Sequence, residues 1–197
     1  MKIGIIGIGM LGEAVALNLL NLGYDVVVYN RTKEKTIRVK EKGAKVADSP
    51  KMIADNTELI ITIVKDAIAV REISFGEEGI IKSKNKELVV ADMSTIDSIE
   101  AKKIAEEFQR NNIEKLEIPV MGGPNVAIIG KLVMMASGSK TIFDKHKTIF
   151  EKIANKVFFL GEQGVANSIK LAMNLQITML ALSLSEGITL VKKLNVN

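Results

Sequence analysis

Gly7-Ile8-Gly9-Met10-Leu11-Gly12 is the stretch of this chain whose residue types and spacing point most directly to chemistry. It follows the short apolar run Lys2 to Ile6 and opens Glu13 to Leu22, whose apolar residues recur at helical spacing. A glycine turn set between a strand and a helix can hold a pyrophosphate. Gly7 permits the tight turn, Gly9 lets backbone approach the phosphates, and Gly12 lets helix and strand pack closely; Met10 and Leu11 lie in the same binding turn. The unpaired N–H groups and the positive dipole end of the helix attract the anion. A second apolar run, Val26-Val27-Val28-Tyr29, ends in Asn30-Arg31-Thr32. An acidic residue about twenty positions after the glycines would hold the ribose 2′-OH of NAD. Asn30 removes that carboxylate, and Arg31 beside Thr32 can grip a 2′-phosphate with its planar fork. An ordinary polar turn is the plain alternative. NADP is expected ahead of NAD.

Other candidates are less specific when read from residues alone. Val64-Lys65 and Asp92-Met93-Ser94-Thr95 each close an apolar run, and ligands of parallel sheets bind at the carboxyl ends of strands. Thr95 could contact the nicotinamide end of the cofactor, or it could share with Ser94 the capping of the next helix. Gly122-Gly123 at a strand end could offer backbone N–H groups to a carboxylate, or could form a simple turn. Lys170 and Asn174, four residues apart in a long helical run, share a face. Read alone, Lys170 is a helix lysine reaching solvent. His146, set among Asp144, Lys145 and Lys147, reads as part of a solvated helix face. With one histidine and no cysteine in the chain, no metal site is expected. Asp92 and Glu117 could pair, yet nothing in their spacing brings them together.

The elements that must position these residues alternate along the chain. Lys33 to Lys42 reads as a charged surface helix closed by Gly43, and Ala44 to Val46 as a short strand. Ser49-Pro50 starts a helix with a serine cap and proline at the first position. Leu59 to Val64 is the continuous apolar run of a strand buried on both faces. Asp66 to Ser74 returns as helix, Leu88 to Ala91 as strand, and Asp97 to Arg110 as helix. The expected fold class is α/β: a Rossmann-type, doubly wound, mostly parallel sheet. It is followed by one long C-terminal helix over Val165 to Leu194, interrupted by no proline and by Gly187 alone. Residues 1–163 then form a dinucleotide-binding domain and 164–197 an appended helix.

Composition narrows the function classes. A chain of 197 residues with 47% hydrophobic residues can bury a core. Its net charge of +4 comes from scattered lysines, and aromatics make up 4%, so neither a nucleic-acid patch nor a stacking platform stands out. An anionic cofactor accounts for the mild basicity. Met1 leads straight into the first strand without a signal segment, and a cytoplasmic location is expected.

Four ordered blocks together resemble the β-hydroxyacid dehydrogenases, which include 3-hydroxyisobutyrate, tartronate semialdehyde and 6-phosphogluconate enzymes. The blocks are the glycine turn at 7–12, Asp92-Met93-Ser94-Thr95, Pro119 to Gly130, and Lys170 with Asn174. The resemblance implies that Gly122 and Gly123 hold a substrate carboxylate and that Thr95 touches the cofactor. It also implies that Lys170 is the catalytic acid/base and that Asn174 orients the substrate. A free lysine, with a pKa of about 10.4, is a poor base near neutrality, and burial would lower it.

Two departures from the family's pattern bear on function. The family commonly has serine before the paired glycines, touching substrate, where this chain has Met121. Either the substrate differs or that contact is made otherwise. Family members also continue past the long helix into an all-helical domain, whereas this sequence stops at Asn197. The expected activity is NADP-dependent interconversion of a small β-hydroxyacid and its semialdehyde or keto acid. The alternative is an NADP-binding module, or half-enzyme, without catalysis of its own. Leu171, Leu175, Met179, Leu180, Leu184 and Ile188 are among apolar residues placed around most of the long helix. That predicts a homodimer through residues beyond Asn174. Asn174, Gln176, Ser183, Ser185 and Glu186 interrupt the run, which argues against a membrane span.

Overall fold

A period of two in the first strands settles how the chain is layered. Ile3, Ile5, Val26, Val28, Leu59, Ile61, Val89 and Ala91 join one buried cluster, whereas Ile6, Val27, Ile60 and Val90 join a second. Successive side chains on a strand point to opposite faces, so these strands are covered on both sides. In the computed structural model, which describes residues 1–85 and 87–194, β1 (Lys2–Ile6), β2 (Asp25–Tyr29), β3 (Lys45–Val46), β4 (Leu59–Thr62), β5 (Val89–Asp92) and β6 (Glu114–Glu117) run parallel. Helix α1 (Met10–Asn21) contributes to the first cluster. Helices α3 (Pro50–Asn56), α4 (Ala67–Phe75) and α5 (Ser98–Arg110) contribute to the second. Helix α2 (Ile37–Glu41) is short and follows a 3-10 turn at Lys33–Thr36, in place of the single helix expected over 33–42.

The sheet is mostly parallel and Rossmann-like, with strand order β3-β2-β1-β4-β5-β6 before it turns. Strand β7 (Val120–Met121) leads into α6 (Pro124–Ala127), and β8 (Leu132–Gly138) then runs antiparallel beside both β6 and β7. Helix α7 (Lys140–Ile153) packs back onto the first cluster, and β9 (Ala154–Phe159) pairs in parallel with β8.

His146 corrects the expectation of a solvated position. It is 4% exposed on the inner face of α7, with Phe143, Ile149, Phe150 and Ile153. Spacings of three, four and seven residues place it on that apolar stripe, whatever the charge of its sequence neighbours. Helix α8 (Val165–Lys193) is long, as expected. Ala166 and Asn167 are its only fully buried residues, and its apolar side chains from Leu175 to Leu194 are exposed. The last three positions of the appended helix expected over 164–197 lie outside the described residues.

Candidate functional site

Strand order reverses between β1 and its two neighbours, β2 and β4, which leaves a crevice beyond their carboxyl ends. A cavity of about 470 Å³ occupies it, lined by Gly7, Gly9, Asn30, Arg31, Thr32, Val64 and Lys65 among others. Three stretches expected to hold the cofactor therefore meet at one place. Each glycine has a visible cause. Gly7 turns at φ 102°, and a side chain there would run into the Ile63 carbonyl; one on Gly12 would run into the Gly7 carbonyl. A side chain on Gly9 would meet nothing within 4 Å, because it would enter the space a pyrophosphate needs. Helix α1 has no side-chain cap, so its first-turn N–H groups stay available to an anion. The residues present thus fit a dinucleotide. Met10 is exposed, whereas Leu11 packs against the core.

Asn30 turns out to hold the site together. Its Oδ1 accepts from Ile8 N at 3.0 Å, and its Nδ2 donates to the Thr32 carbonyl at 2.8 Å. The amide ties the glycine turn to the end of β2 and needs both a donor and an acceptor. Arg31 reaches across the cavity to Glu72 at 3.5 Å, with both side chains mostly exposed. Lys35 also lines the cavity, a cation that the sequence reading missed. It lies in the 3-10 turn that follows β2, four residues after Arg31. Lys65 points outward and pairs with Asp66 at 3.2 Å.

Behind the cavity lies a buried polar network. Asp92 Oδ1 accepts from Thr62 Oγ1 at 2.8 Å and from Ser94 N at 3.1 Å, while Ser94 Oγ accepts from Val64 N at 3.0 Å. Ser94 is therefore engaged with the loop after β4. The cap of α5 is Asp97, which accepts from Ile99 N and Glu100 N, so the capping role weighed for Ser94 and Thr95 is filled by another residue. Thr95 is half-buried one position on. Lys115 faces Asp92 Oδ2 at 3.7 Å with both side chains 1% exposed. Asp92 and Glu117 are register partners on β5 and β6, but each is engaged by different groups. Glu117 accepts from Gly164 N, from Asn167 N at 3.2 Å and from Asn167 Nδ2 at 2.9 Å.

The chemistry expected at the other end has its own geometry. Gly122 and Gly123 are exposed, and Gly123 caps α6 with Pro124 at its first position. Lys170 Nζ donates to Met121 Sδ at 2.9 Å, which brings the helix lysine to the residue beside the paired glycines. Burial holds the Lys170 ammonium below the ordinary lysine value. Asn174 is half-buried one turn further along α8. Among the described residues there is no cluster of three or more His, Cys, Asp or Glu that could hold a metal ion.

Fold and site define a dinucleotide-binding Rossmann protein. The family model for the NAD binding domain of 6-phosphogluconate dehydrogenase matches residues 2–161, and the chain belongs to that family. It is similar to the uncharacterized oxidoreductase YfjR of Bacillus subtilis strain 168, at 31% identity over 194 residues, 98% of this chain and 68% of YfjR. It is also similar to glyoxylate/succinic semialdehyde reductase 1 of Arabidopsis thaliana, at 31% identity over 98% of this chain and 67% of that protein. The crystal structure of a 3-hydroxyisobutyrate dehydrogenase from Salmonella typhimurium superposes with a TM-score of 0.90 at 25% identity, over 100% of this chain and 69% of that one. The chain thus spans about two thirds of each of these relatives.

Proposed function

We propose that the chain is the cofactor-binding and proton-transferring part of an NADP-dependent oxidoreductase that interconverts a small β-hydroxyacid and its semialdehyde or keto acid. The observation that carries this reading is the approach of Lys170 Nζ to Met121, next to Gly122-Gly123, from 49 positions away in sequence. A bound nicotinamide supplies the hydride exchange at the substrate carbon. In reduction, the Lys170 ammonium donates its proton to the carbonyl oxygen; in oxidation, the free amine takes the proton back from the hydroxyl. Partial burial favours that amine near neutral pH. The N–H groups of Gly122 and Gly123 receive the substrate carboxylate, Asn174 orients the substrate, and Thr95 meets the nicotinamide end. Met121 offers a thioether where a hydroxyl would donate a hydrogen bond, which favours a substrate with an apolar group at that point. Arg31, Thr32 and Lys35 select NADP by pairing with its 2′-phosphate.

In this reading residues 1–163 bind cofactor, and the helix from 164 onward also builds a homodimer in the cytoplasm. Helix α8 is long and apolar enough to cross a membrane by length and composition alone. The polar residues from Asn174 to Glu186 and the acid/base on its first turns favour a protein interface instead. A second reading, a binding module without catalysis, draws on one observation: from Ser168 onward no described residue of α8 is buried, so nothing shields Lys170 on its far side. The two readings part when NADPH consumption by the purified chain is followed with glyoxylate, succinic semialdehyde and 3-hydroxyisobutyrate's aldehyde. Turnover with any of these supports the enzyme. Cofactor binding with no turnover on any semialdehyde supports the module.

A further inference from the structure

We infer that Glu117 and Asn167 are positioning residues for Lys170, forming a buried latch that sets where the first turns of α8 stand relative to Thr95 and Met121. The inference rests on the reading of Lys170 as acid/base.

Helix α8 begins with Gly164 at φ 90° and has no side-chain cap of its own. Its cap comes from another element. Glu117, at the end of β6 and fully buried, takes the Gly164 N–H on one carboxylate oxygen and the Asn167 N–H on the other. Ala166 N donates to Ser137 Oγ at 3.3 Å. A carboxylate placed at a helix N-terminus is favoured both by these orphan donors and by the dipole. Asn167, also fully buried, completes the latch. Its Nδ2 donates to Glu117 at 2.9 Å while its Oδ1 accepts from Ile96 N at 3.0 Å. One amide therefore joins the first turn of α8 to the segment carrying Ser94 and Thr95.

Lys170 sits one turn beyond Asn167, and no described residue of α8 after Asn167 is buried. Packing further along the helix therefore does not fix its direction. The placement of Lys170 against Met121 depends on how the first turn is anchored. Both latch residues are too deep to meet substrate, so they act through Lys170.

The test reads Lys170 directly. Competitive acetylation across a pH series, followed by mass spectrometry, gives the reactivity profile of Lys170, with exposed Lys156 in the same sample as reference. In Glu117→Gln an amide N–H faces donors, and in Asn167→Ala the bridge to Ile96 is gone while the carboxylate caps remain. Released from its half-buried place, Lys170 should titrate nearer an ordinary lysine, with a smaller share of free amine at pH 7. The Lys156 profile should stay put. The pair Glu117→Gln with Asn167→Asp restores one hydrogen bond across the latch, with the amide now donating to the new carboxylate, and should return most of the Lys170 profile. Where turnover is measurable, kcat should fall in the single variants with the NADPH KM unchanged. A Lys170 profile unchanged in folded Asn167→Ala overturns the inference, whatever the melting temperature does. If Glu117→Gln does not fold, Asn167→Ala and the pair decide. Absence of turnover in the unaltered chain would sink the acid/base reading but leave the labelling result to judge the latch. An unchanged profile in an active chain would sink the latch alone.

Discussion

Replacing Arg31 by alanine should collapse the preference for NADPH over NADH, and the structure bounds by how much. The guanidinium stands at the mouth of the cavity with its NH1 3.5 Å from Glu72, and both side chains are mostly solvated, 76% and 60% exposed. An exposed pair of this kind contributes about 0–1 kcal/mol. A hydrogen bond between charged groups contributes about 1.5–3 kcal/mol. In the proposed function Arg31 exchanges the carboxylate for the 2′-phosphate on binding NADPH, so the net gain is the difference, about 0.5–3 kcal/mol. At about 1.4 kcal/mol per tenfold, Arg31→Ala should narrow the ratio of dissociation constants roughly 2- to 140-fold. NADH affinity should change little. Glu72→Gln works in the opposite sense, because the arginine no longer has a competitor and a negative charge leaves the pocket. NADPH should then bind up to about 5-fold more tightly. Nucleotide fluorescence titrations at two salt concentrations would measure both, and the NADPH advantage should shrink as salt screens the phosphate. Equal affinities for the two cofactors in the unaltered chain, or an unchanged ratio in Arg31→Ala, would refute the assignment of the 2′-phosphate to this end of β2.

Lys170→Ala should abolish turnover and leave NADPH affinity nearly unchanged; substantial residual rates in the variant would move proton transfer elsewhere. Met121→Ser should shift the order of preference among semialdehydes with cofactor affinity constant, and an unaltered substrate profile would remove Met121 from the substrate's surroundings. Glutamates in place of Leu180 and Leu184, which are 71% and 65% exposed on α8, should dissociate or precipitate the dimer. Light scattering that shows a well-behaved monomer of the unaltered chain at tens of micromolar would end that proposal. His146 sets a pH dependence. Burial first, and then the Lys145 charge, hold its pKa below the ordinary value, with Glu58 opposing, and neither ring nitrogen has a hydrogen-bond partner among the described residues. The unfolded chain takes up this proton more readily, so its contribution to stability is complete above about pH 6.5 and is lost as pH falls below it. The slope is at most about 1.4 kcal/mol per pH unit. Denaturant midpoints from pH 7 to 5 should fall less steeply in His146→Phe, and parallel curves would show that the imidazole is not responsible.

The cofactor end of the molecule was legible because its signals are local. A strand, three glycines and a helix follow one another within 21 residues; Gly7 and Gly12 have steric reasons that the motif already states, and the space beside Gly9 is open. Ser49 and Pro50 at the start of α3 were readable for the same reason, since a cap needs only its own turn. The cap of α5 was just as local. Asp97 followed three residues later by Glu100 is the sequence pattern of a helix start, and it outweighs the serine and threonine ahead of it. His146 could have been placed from the stripe Phe143, His146, Ile149, Phe150 and Ile153 had spacing been given more weight than neighbouring charge. The reversal of direction at β8 had no such signal, because a buried apolar run reads the same way in either direction. Glu117 and Lys115 were harder still. Glu114-Lys115-Leu116-Glu117 has the pattern of an exposed segment, yet three of its four residues are buried. Their partners come from β5, α8 and the turn before α8, which no window of sequence brings together.

The two helix N-termini in the candidate site show the same backbone physics put to opposite ends. Both begin with a glycine cap, and neither has a side-chain cap from its own residues. At α1 no described residue replaces the cap, and the space beside Gly9 is open, so the donors and the dipole remain available to a ligand. At α8 the replacement is built in, because Glu117 and Ser137 take the first-turn donors from neighbouring strands. An anion therefore gains from α1 and finds no free donor at the start of α8, although α8 carries Lys170. In the proposed function that difference keeps phosphate binding and proton transfer at separate places. A substrate carboxylate near Lys170 falls, in the same proposal, to Gly122-Gly123 and the lysine charge, because the start of the helix on which that lysine stands is already capped from within.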